Sequence, residues 1–249
     1  MKKCNILKVN ICVTNMKELL KFIDKHLKEV KGEYLCFSNV HTTVMAEEEE
    51  EYLKVQNSSL LSLPDGGPLS VIAKKKGFKE AERVTGPDFM MEIFKVSQEK
   101  GYSHFFYGST QETLDELKSN LKNKFPELNI VGMISPPFRS LTEEENIKIT
   151  NDINKRNPDF LWVGLGAPKQ EIWMYNHKNK INSLMVGVGA GFDYHANKIQ
   201  RAPLIMQKYS LEWLYRLIQD PKRLFKRYLQ TNTKFIFYIL RDKISRRMS

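Results

Sequence analysis

Residues 160–193 of the chain read FLWVGLGAPKQEIWMYNHKNKINSLMVGVGAGFD, and this stretch decides the fold. Two short apolar runs, Phe160–Leu165 and Leu184–Val188, have the length and hydrophobicity of strands that are buried on both faces. A glycine-rich turn follows each run, and Pro168 marks the start of a helix between them. A strand, a helix and a second strand in this order predict a parallel pair of strands in an α/β sheet.

The same alternation of strands and helices runs through the first 200 residues. Two helices have strong start signals, because Thr142 forms a capping box with Glu145 and Thr110 opens a run that continues through Phe125. The pattern predicts an α/β fold with a Rossmann-like parallel sheet and helices on both faces. The other four predicted strands are Ile6–Val9, Tyr34–Ser38, Phe105–Tyr107 and Ile130–Ile134.

Composition limits the class of protein. The chain has 249 residues and is 41% hydrophobic, which is enough to bury a core and excludes a disordered or fibrous protein. No apolar run approaches the roughly 18 residues of a membrane-spanning helix, and Lys8 interrupts the apolar stretch that a signal peptide would need. The three cysteines form no C-x-x-C pair, which agrees with a reducing compartment. We therefore expect a cytoplasmic protein.

Positive charge is concentrated near the C-terminus. Residues 201–249 contain 12 lysines and arginines against 3 acidic residues, a net charge of +9 out of +10 for the chain. A balanced body with a basic tail suggests an appendage for an anionic partner. We predict a Rossmann-like domain over residues 1–200 and a basic helical appendage over residues 201–249.

Two helices are predicted within the appendage. Leu211–Ile218 is apolar around most of its circumference, so we expect this helix to be largely covered. Asp220 and Pro221 form a cap and a first position for a second helix, which has basic residues on one arc and apolar residues on the opposite arc. Such a basic amphipathic helix suits an anionic lipid surface.

The two glycine-rich turns follow strands, where an open parallel sheet binds its ligands. Glycines in Gly164–Gly166 and Gly187–Gly191 could free backbone N–H groups for a phosphate, and tight packing of strand against helix explains them equally well. Neither turn matches G-x-G-x-x-G, and the first strand–helix turn, Asn10–Asn15, contains no glycine. This argues against a dinucleotide-dependent oxidoreductase.

Several polar residues near this edge of the sheet have two open interpretations. Asp65 lies in Pro-Asp-Gly-Gly-Pro, which is ordinary turn chemistry but also places a carboxylate in a rigid loop, as a general base requires. His41 is a ligand contact or a core histidine. Gln170 and Glu171 are site residues or first-turn residues favoured by the helix dipole. Asp193 contacts a base or ribose, or caps a turn.

An absent motif also bears on the chemistry. The chain has no D-x-D pair, which commonly holds a divalent ion against the diphosphate of a sugar nucleotide. A diphosphate would then have to be bound by helix N-termini and by arginine or lysine. The sequence therefore predicts neither a metal site nor a cofactor.

One set of motifs resembles a known family. The motifs are Pro64-Asp65-Gly66, Arg83–Asp88, Gly108, the block Val163–Trp173, Gly187–Ala190 with Phe192-Asp193, Arg201-Ala202-Pro203, and Leu211–Arg216 followed by Pro221, Arg223, Arg227 and Tyr228. In this order they resemble the WecG/TagA/CpsF family of bacterial glycosyltransferases. The resemblance implies an inverting, metal-independent enzyme that moves an N-acetylmannosamine-type sugar from UDP onto an undecaprenyl-diphosphate-linked sugar. It also implies a role in teichoic acid, common antigen or exopolysaccharide synthesis.

The resemblance also implies roles for individual residues. Asp65 would be the general base, with Gln170 and Arg83 in the active site, and Asp193 would help to hold the nucleotide. Three arginines, Arg216, Arg223 and Arg227, would bring positive charge to the diphosphates. The other substrate-binding positions are expected to be Asn39, His41, Asp88, Gly108, Gly166, Lys169 and Gly189. Where several members have a threonine this chain has Phe37, so we expect different donor-sugar contacts there.

The expected partners follow from this assignment. They are a UDP-sugar donor, a lipid-diphosphate-linked sugar acceptor and the cytoplasmic face of the plasma membrane, with no nucleic acid, and a homo-oligomer remains open. Two alternatives are a nucleotide-binding Rossmann-like oxidoreductase and a non-catalytic RNA-binding protein whose tail contacts phosphates. The RNA-binding alternative is weakened because the aromatic residues of the tail, which would stack on bases, lie on the side of the helix opposite the basic residues, which would contact phosphates.

Overall fold

A computed structural model describes residues 1–248, and the side chains of Lys208, Arg223 and residues 245–248 lie outside that description. The strands are β1 (Lys3–Ile6), β2 (Val9–Cys12), β3 (Tyr34–Ser38), β4 (Leu61–Pro64), β5 (Ser103–Gly108), β6 (Asn129–Ile134), β7 (Phe160–Gly164) and β8 (Leu184–Gly187). They form one sheet in the order β1-β2-β4-β3-β8-β7-β5-β6. The β1–β2 pair is antiparallel, and the other described pairs are parallel.

The helices surround this sheet. They are α1 (Met16–His26), α2 (Val40–Glu48), α3 (Glu50–Asn57), α4 (Gly67–Lys75), α5 (Gly86–Lys100), α6 (Gln111–Lys124), α7 (Glu143–Arg156), α8 (Lys169–His177), α9 (Gly191–His195), α10 (Leu204–Lys208), α11 (Glu212–Gln219) and α12 (Pro221–Met248). Thr110 and Thr142 cap α6 and α7, as their sequences predict.

The helices pack in two layers because alternate residues of a strand point to opposite faces of the sheet. In β3, Leu35 and Phe37 join a core formed with α1, α5, α6 and α9. Tyr34 and Cys36 point the other way, into a core formed with α7 and α8. Helices α2, α3, α4 and α12 cover the part of that second face that lies over β1 and β2. The predicted α/β fold with helices on both faces and a C-terminal helix is confirmed.

In the first half of the chain one strand prediction is wrong and strand β4 was not predicted. Ile6–Val9 is not one strand but the tight turn of the β1–β2 hairpin, in which Leu7 and Lys8 have φ values of +47° and +65°. A two-residue hairpin turn of this kind normally contains Asn or Gly, so Leu-Lys gives no turn signal. Strand β4 was missed because it has four residues and ends at Pro64.

The appendage packs differently from the sequence expectation. The helix predicted over Leu211–Ile218 is α11, and it is only partly covered: Leu214 and Leu217 are half-buried, whereas Trp213 is 41% and Ile218 69% exposed. Its buried contact is made instead by Glu212. Helix α12 packs on α2 and buries Phe235 in the body. Within the described residues, we find no helix with the length and hydrophobicity needed to cross a membrane.

A buried histidine links β5 to the helices. His104 Nδ1 lies 3.1 Å from Trp162 Nε1, which can only donate, so the imidazole proton is on Nε2. Nε2 then donates to Ser97 Oγ over 2.9 Å, and Ser97 donates to the Ile93 carbonyl over 2.6 Å. Burial lowers the pKa of His104 to about 3, against a weaker opposing effect of Asp159. The neutral imidazole is therefore part of the folded core.

We expect this histidine to make folding stability depend on pH. The unfolded chain binds a proton at His104 below about pH 6.5 and the folded chain does not, so the free energy of unfolding should fall as the pH drops from about 6.5 towards 3. The loss should reach about 3 kcal/mol near pH 4.5. Urea unfolding of the wild type and of His104→Gln at several pH values measures it, because the carboxylates titrate alike in both proteins. If the free energies of unfolding of the wild type and His104→Gln change in parallel with pH, the assignment of a neutral, buried His104 is contradicted.

Candidate active site

Asp65 lies where β4 ends, at the carboxyl edge of the sheet. Its backbone N–H donates to the Ser38 carbonyl over 2.9 Å, which fixes the Asp65 loop beside the end of β3. The side chain is half-buried, and the hydrogen bonds of the described residues include none to its carboxylate. A carboxylate in this position is available to accept a proton from a ligand.

The charges around Asp65 set its proton affinity. Burial raises the pKa of Asp65 to about 6, with Glu212 and Asp88 acting in the same direction and Arg83 and Arg216 opposing it. A carboxylate with a pKa near 6 is mostly ionised at neutral pH and is a stronger base than an exposed aspartate. This environment fits the general base that the sequence predicts at Asp65.

Arg83 connects the Asp65 loop to the appendage. Its Nε donates to the Asp65 backbone carbonyl over 2.8 Å, and its Nη2 lies 2.5 Å from Glu212 Oε2. Glu212 is 9% exposed and also accepts a hydrogen bond from the Tyr194 hydroxyl over 3.3 Å. Helix α11 is thus anchored beside the predicted base through Glu212.

A second arginine completes this cluster. Arg201 forms a bidentate salt bridge with Asp88, in which Nη1 lies 2.6 Å from Oδ1 and Nη2 lies 3.2 Å from Oδ2. The Nε atom of Arg201 lies 3.6 Å from Glu212 Oε1. The guanidinium groups of Arg201 and Arg216 lie 5.5 and 5.8 Å from the Tyr194 ring centre. Arg201 and Glu212 belong to motifs noted in the sequence, yet a site role for them and for Tyr194 was missed. Their pairing depends on long-range contacts that spacing does not reveal.

Asn39 and His41 begin the helix after β3. The Asn39 side chain caps α2 by accepting from the N–H groups of His41 and Thr42 over 3.0 and 3.2 Å. His41 Nδ1 is buried and has no hydrogen-bond partner among the described residues. Burial, and then the charge of Arg227, lower the pKa of His41, which places Arg227 of α12 near this end of the sheet. The Arg223 side chain lies outside the described residues.

The glycine-rich turns are held together by Gln170. Its Oε1 accepts from the backbone N–H groups of Gly166 and Gly189 over 3.1 and 3.0 Å, and its Nε2 donates to Glu171 over 2.8 Å. Gln170 is 5% exposed and therefore lies beneath the turns after β7 and β8. A side chain at Gly108, which has φ of +133°, would come within 2.6 Å of the Gly164 backbone. Only glycine allows the ends of β5 and β7 to approach this closely.

A cavity of about 550 Å³ lies beyond the ends of β5, β6 and β7. Lys169 lines it together with Tyr107, Trp173, Gly164 and residues of the 136–143 loop. Tyr107 and Trp173 stack with ring centres 4.6 Å apart, and Phe138 in the loop is 86% exposed. A site role for the aromatic residues of this cavity was missed in the sequence.

The predicted site residues thus fall into two neighbouring groups. Asp65, Arg83, Asp88 and Arg216 meet near the ends of β3 and β4. Lys169 lines the cavity, and Gly108 lies between two residues that line it, Tyr107 and Ser109. Gln170 joins the turns after β7 and β8, and the start of α5 lies against the end of β8, since a side chain at Gly86 would come within 3.4 Å of Val188. Asp193 lies in α9, next to Phe192, whose ring covers Gly164. Among the described residues, no three His, Cys, Asp or Glu side chains are grouped so as to hold a metal ion.

Comparisons with known proteins identify the family of the chain. The family model described as "Glycosyl transferase WecG/TagA/CpsF family" matches residues 4–249. A Bacillus subtilis (strain 168) protein named N-acetylglucosaminyldiphosphoundecaprenol N-acetyl-beta-D-mannosaminyltransferase is 26% identical over 232 residues, which cover 92% of this chain and 88% of the relative. A Staphylococcus aureus (strain MW2) protein of the same name is 26% identical over 225 residues, which cover 89% of this chain and 87% of the relative.

Proposed function

Because this chain belongs to the WecG/TagA/CpsF family of glycosyltransferases, we propose that it transfers an N-acetylmannosamine-type sugar from UDP to N-acetylglucosamine on undecaprenyl diphosphate. The acceptor and the transferred sugar are those in the names of the Bacillus and Staphylococcus relatives. The observation that carries the proposal is the half-buried Asp65 carboxylate, whose pKa is raised and whose neighbours include Arg83 and Arg216. The product would serve cell-wall teichoic acid or other surface polysaccharide synthesis.

In the proposed reaction, Asp65 accepts the proton of the acceptor hydroxyl while that oxygen attacks the anomeric carbon of the donor sugar. The bond from this carbon to UDP breaks as the new glycosidic bond forms, and UDP leaves with the electron pair. Attack from the face opposite UDP inverts the configuration, and one carboxylate is sufficient for it. A covalent route would need a second carboxylate as nucleophile.

The charge on the departing diphosphate needs cations. Arg83, Arg216 and Arg227 supply guanidinium groups near the ends of β3 and β4, and such groups stabilise a developing phosphate charge in a partly dry site. We propose that the cavity beside Lys169 takes the nucleotide, since its aromatic walls offer faces for a base. Asp193 lies in the first turn after β8, where it could contact the ribose.

A donor panel tests this proposal. Purified protein is offered several UDP-sugars together with a short-chain prenyl-diphosphate-N-acetylglucosamine acceptor, and the glycosylated acceptor is measured. We expect the fastest transfer from UDP-N-acetylmannosamine. No transfer from any donor, combined with binding of NAD(P) or RNA, would favour one of the two alternatives instead.

Metal independence is a separate expectation. The proposal assigns the leaving-group charge to arginines and lysine, so sugar transfer should continue at an undiminished rate in EDTA. Transfer assays with and without the chelator measure this. A strict requirement for Mg²⁺ or Mn²⁺, restored when the ion is added back, would show that a cation other than these side chains stabilises the diphosphate.

We also propose that the appendage binds the cytoplasmic face of the membrane as a peripheral anchor. Its outer surface combines basic residues with exposed apolar side chains, among them Phe225, Ile236, Phe237 and Leu240, which are 54–61% exposed. Large apolar groups in this number are rarely exposed without a partner. A helix of this composition is attracted to anionic lipid by charge and held by apolar burial.

Replacing Phe225, Ile236, Phe237 and Leu240 with serine should weaken binding to anionic vesicles by at least about 100-fold, since each buried apolar side chain contributes roughly 1.5–3 kcal/mol. Vesicle co-sedimentation measures the loss. The matched control is Ile147→Ser, which removes a 53% exposed isoleucine from α7 and should leave vesicle binding unchanged. Equal binding by all three proteins would rule out the apolar face as the anchor.

A further inference from the structure

Glu171 is a carboxyl group in the interior of the protein. It lies in the first turn of α8 and is 1% exposed. One oxygen, Oε1, accepts from Gln170 Nε2 over 2.8 Å, and Oε2 has no partner at hydrogen-bonding geometry within the described chain. A buried carboxyl is costly unless its neighbours compensate it, so its presence calls for a purpose beyond packing.

Through Gln170, Glu171 acts on the two glycine-rich turns. The Gln170 amide has one acceptor end and one donor end, and its acceptor end is occupied by the N–H groups of Gly166 and Gly189. Its buried NH₂ group then requires an acceptor, which Glu171 provides. With that acceptor in place, the amide is fixed by three hydrogen bonds. Without it, the NH₂ group would be left unsatisfied, and the turns would lose a firmly held partner.

Through Tyr52, Glu171 also faces the loop of the predicted base. Burial raises the pKa of Glu171, while Gln170 and the Tyr52 hydroxyl lower it, so the hydroxyl lies close to the carboxyl. The Tyr52 oxygen accepts from Gln56 Nε2 over 2.9 Å, which leaves the hydroxyl proton for Glu171. Gln56 Oε1 accepts from Ser38 Oγ over 2.9 Å. Ser38, Tyr52 and Gln56 are all at most 2% exposed.

The chain of contacts ends at Asp65. The Ser38 carbonyl accepts from the backbone N–H groups of Asp65 and Gly66 over 2.9 and 3.3 Å. Hydrogen bonds thus connect Tyr52, Gln56 and Ser38 to the loop after β4, and the electrostatic interaction between Tyr52 and Glu171 joins them to the turns after β7 and β8. Fully buried polar networks of this kind rigidify the groups they connect.

We propose that Glu171 is a positioning residue that holds the two halves of the site in register. It orients the glycine-rich turns through Gln170 and the Asp65 loop through Tyr52, Gln56 and Ser38. The consequence for catalysis rests on the proposed function, because it concerns how the base is aligned with the donor. The consequence for local order does not.

Amide hydrogen exchange tests the local order directly. Glu171→Ala should speed exchange at the amides of Gly166, Gly189, Asp65 and Gly66, by about 5-fold if each turn loses one hydrogen bond of average strength. Tyr52→Phe should affect only Asp65 and Gly66, because the glycine-rich turns are reached through Gln170. The amide of Phe125 at the end of α6 is the remote control and should not change.

Kinetics test the link to catalysis. Glu171→Ala should lower kcat about 10-fold with little change in the KM for either substrate, since misalignment affects the reacting geometry more than ground-state binding. Glu171→Gln should recover most of the rate, because its amide oxygen can still accept from Gln170 Nε2. The double variant with Gln170→Ala should be no slower than Gln170→Ala alone, since both changes act on one unit.

The outcomes separate clearly. Faster exchange that includes Phe125 would mean general destabilisation and would overturn the proposal, as would exchange unchanged at both turns. Faster exchange at the glycine-rich turns alone would overturn the link to Asp65. Additive losses in the double variant would overturn action through Gln170. If the wild type itself fails to transfer sugar, the proposed function is wrong, and the exchange pattern still decides the role of Glu171.

Discussion

Asp65→Asn is expected to lower kcat by about 100-fold or more, the usual scale for loss of a general base. Asparagine has nearly the same size, and the bonds that fix the loop use the Asp65 backbone, so the fold should be retained. UDP binding should persist, since the base acts on the acceptor hydroxyl. Steady-state transfer kinetics together with UDP binding by calorimetry measure both parts of the expectation.

The pH profile of the wild type gives an independent signature of the same base. Asp65 must be ionised to accept a proton, and its pKa is raised to about 6 by burial. The rate should therefore fall as the pH drops through about 6, rather than near the usual aspartate value of about 4. Asp115→Asn on the exposed face of α6 is the matched control and should keep the wild-type rate. Near-normal turnover by folded Asp65→Asn would falsify the assignment.

Arg216→Gln is expected to lower kcat/KM by about 100-fold, which corresponds to losing one cation that stabilises the leaving group. Arg83 and Arg201 are each held by a carboxylate, whereas Arg216 forms no salt bridge among the described residues and rests over the Tyr194 ring. Its charge is therefore the most readily available to a diphosphate. Arg216→Lys should retain part of the rate, because lysine keeps the positive charge but lacks the planar guanidinium group that binds a phosphate through two nitrogens.

A second readout separates Arg216 from a general charge effect. Its positive charge lowers the pKa of Asp65, so Arg216→Gln should also move the acid limb of the pH profile upwards. Lys222→Gln removes the same charge from an exposed position of α12 and should change neither the rate nor the profile. Equal losses in both variants would mean that the net charge of the appendage matters, not the place of Arg216.

The fold was largely predictable because its signals are local. The alternation of buried strands with capped helices fixed the α/β class, and Thr110 and Thr142 marked two helix starts. The hairpin at Leu7 and Lys8 was not predictable, because these residues adopt positive φ values that their side chains do not favour. Tertiary contacts around the hairpin override the local preference.

The site was predictable only where a motif carried it. Asp65 and Arg83 were proposed from sequence, and the structure brings them together with Arg216. The roles of Arg201, Glu212 and Tyr194 were missed because they arise from distant pairings. Glu212 reads as one polar residue in an apolar helix, yet it is the buried partner of Arg83. The helix expected to be largely covered over Leu211–Ile218 is only partly covered, and its fully buried contact is ionic.

The most direct test of the central claim is analysis of the reaction product. The protein is incubated with UDP-N-acetylmannosamine and a short-chain prenyl-diphosphate-N-acetylglucosamine, and the lipid product and released UDP are quantified together by mass spectrometry, with the new linkage assigned by NMR. We expect one added N-acetylmannosamine per UDP released, with the anomeric configuration inverted. UDP release that does not depend on the acceptor, or a product with retained configuration, would contradict the account.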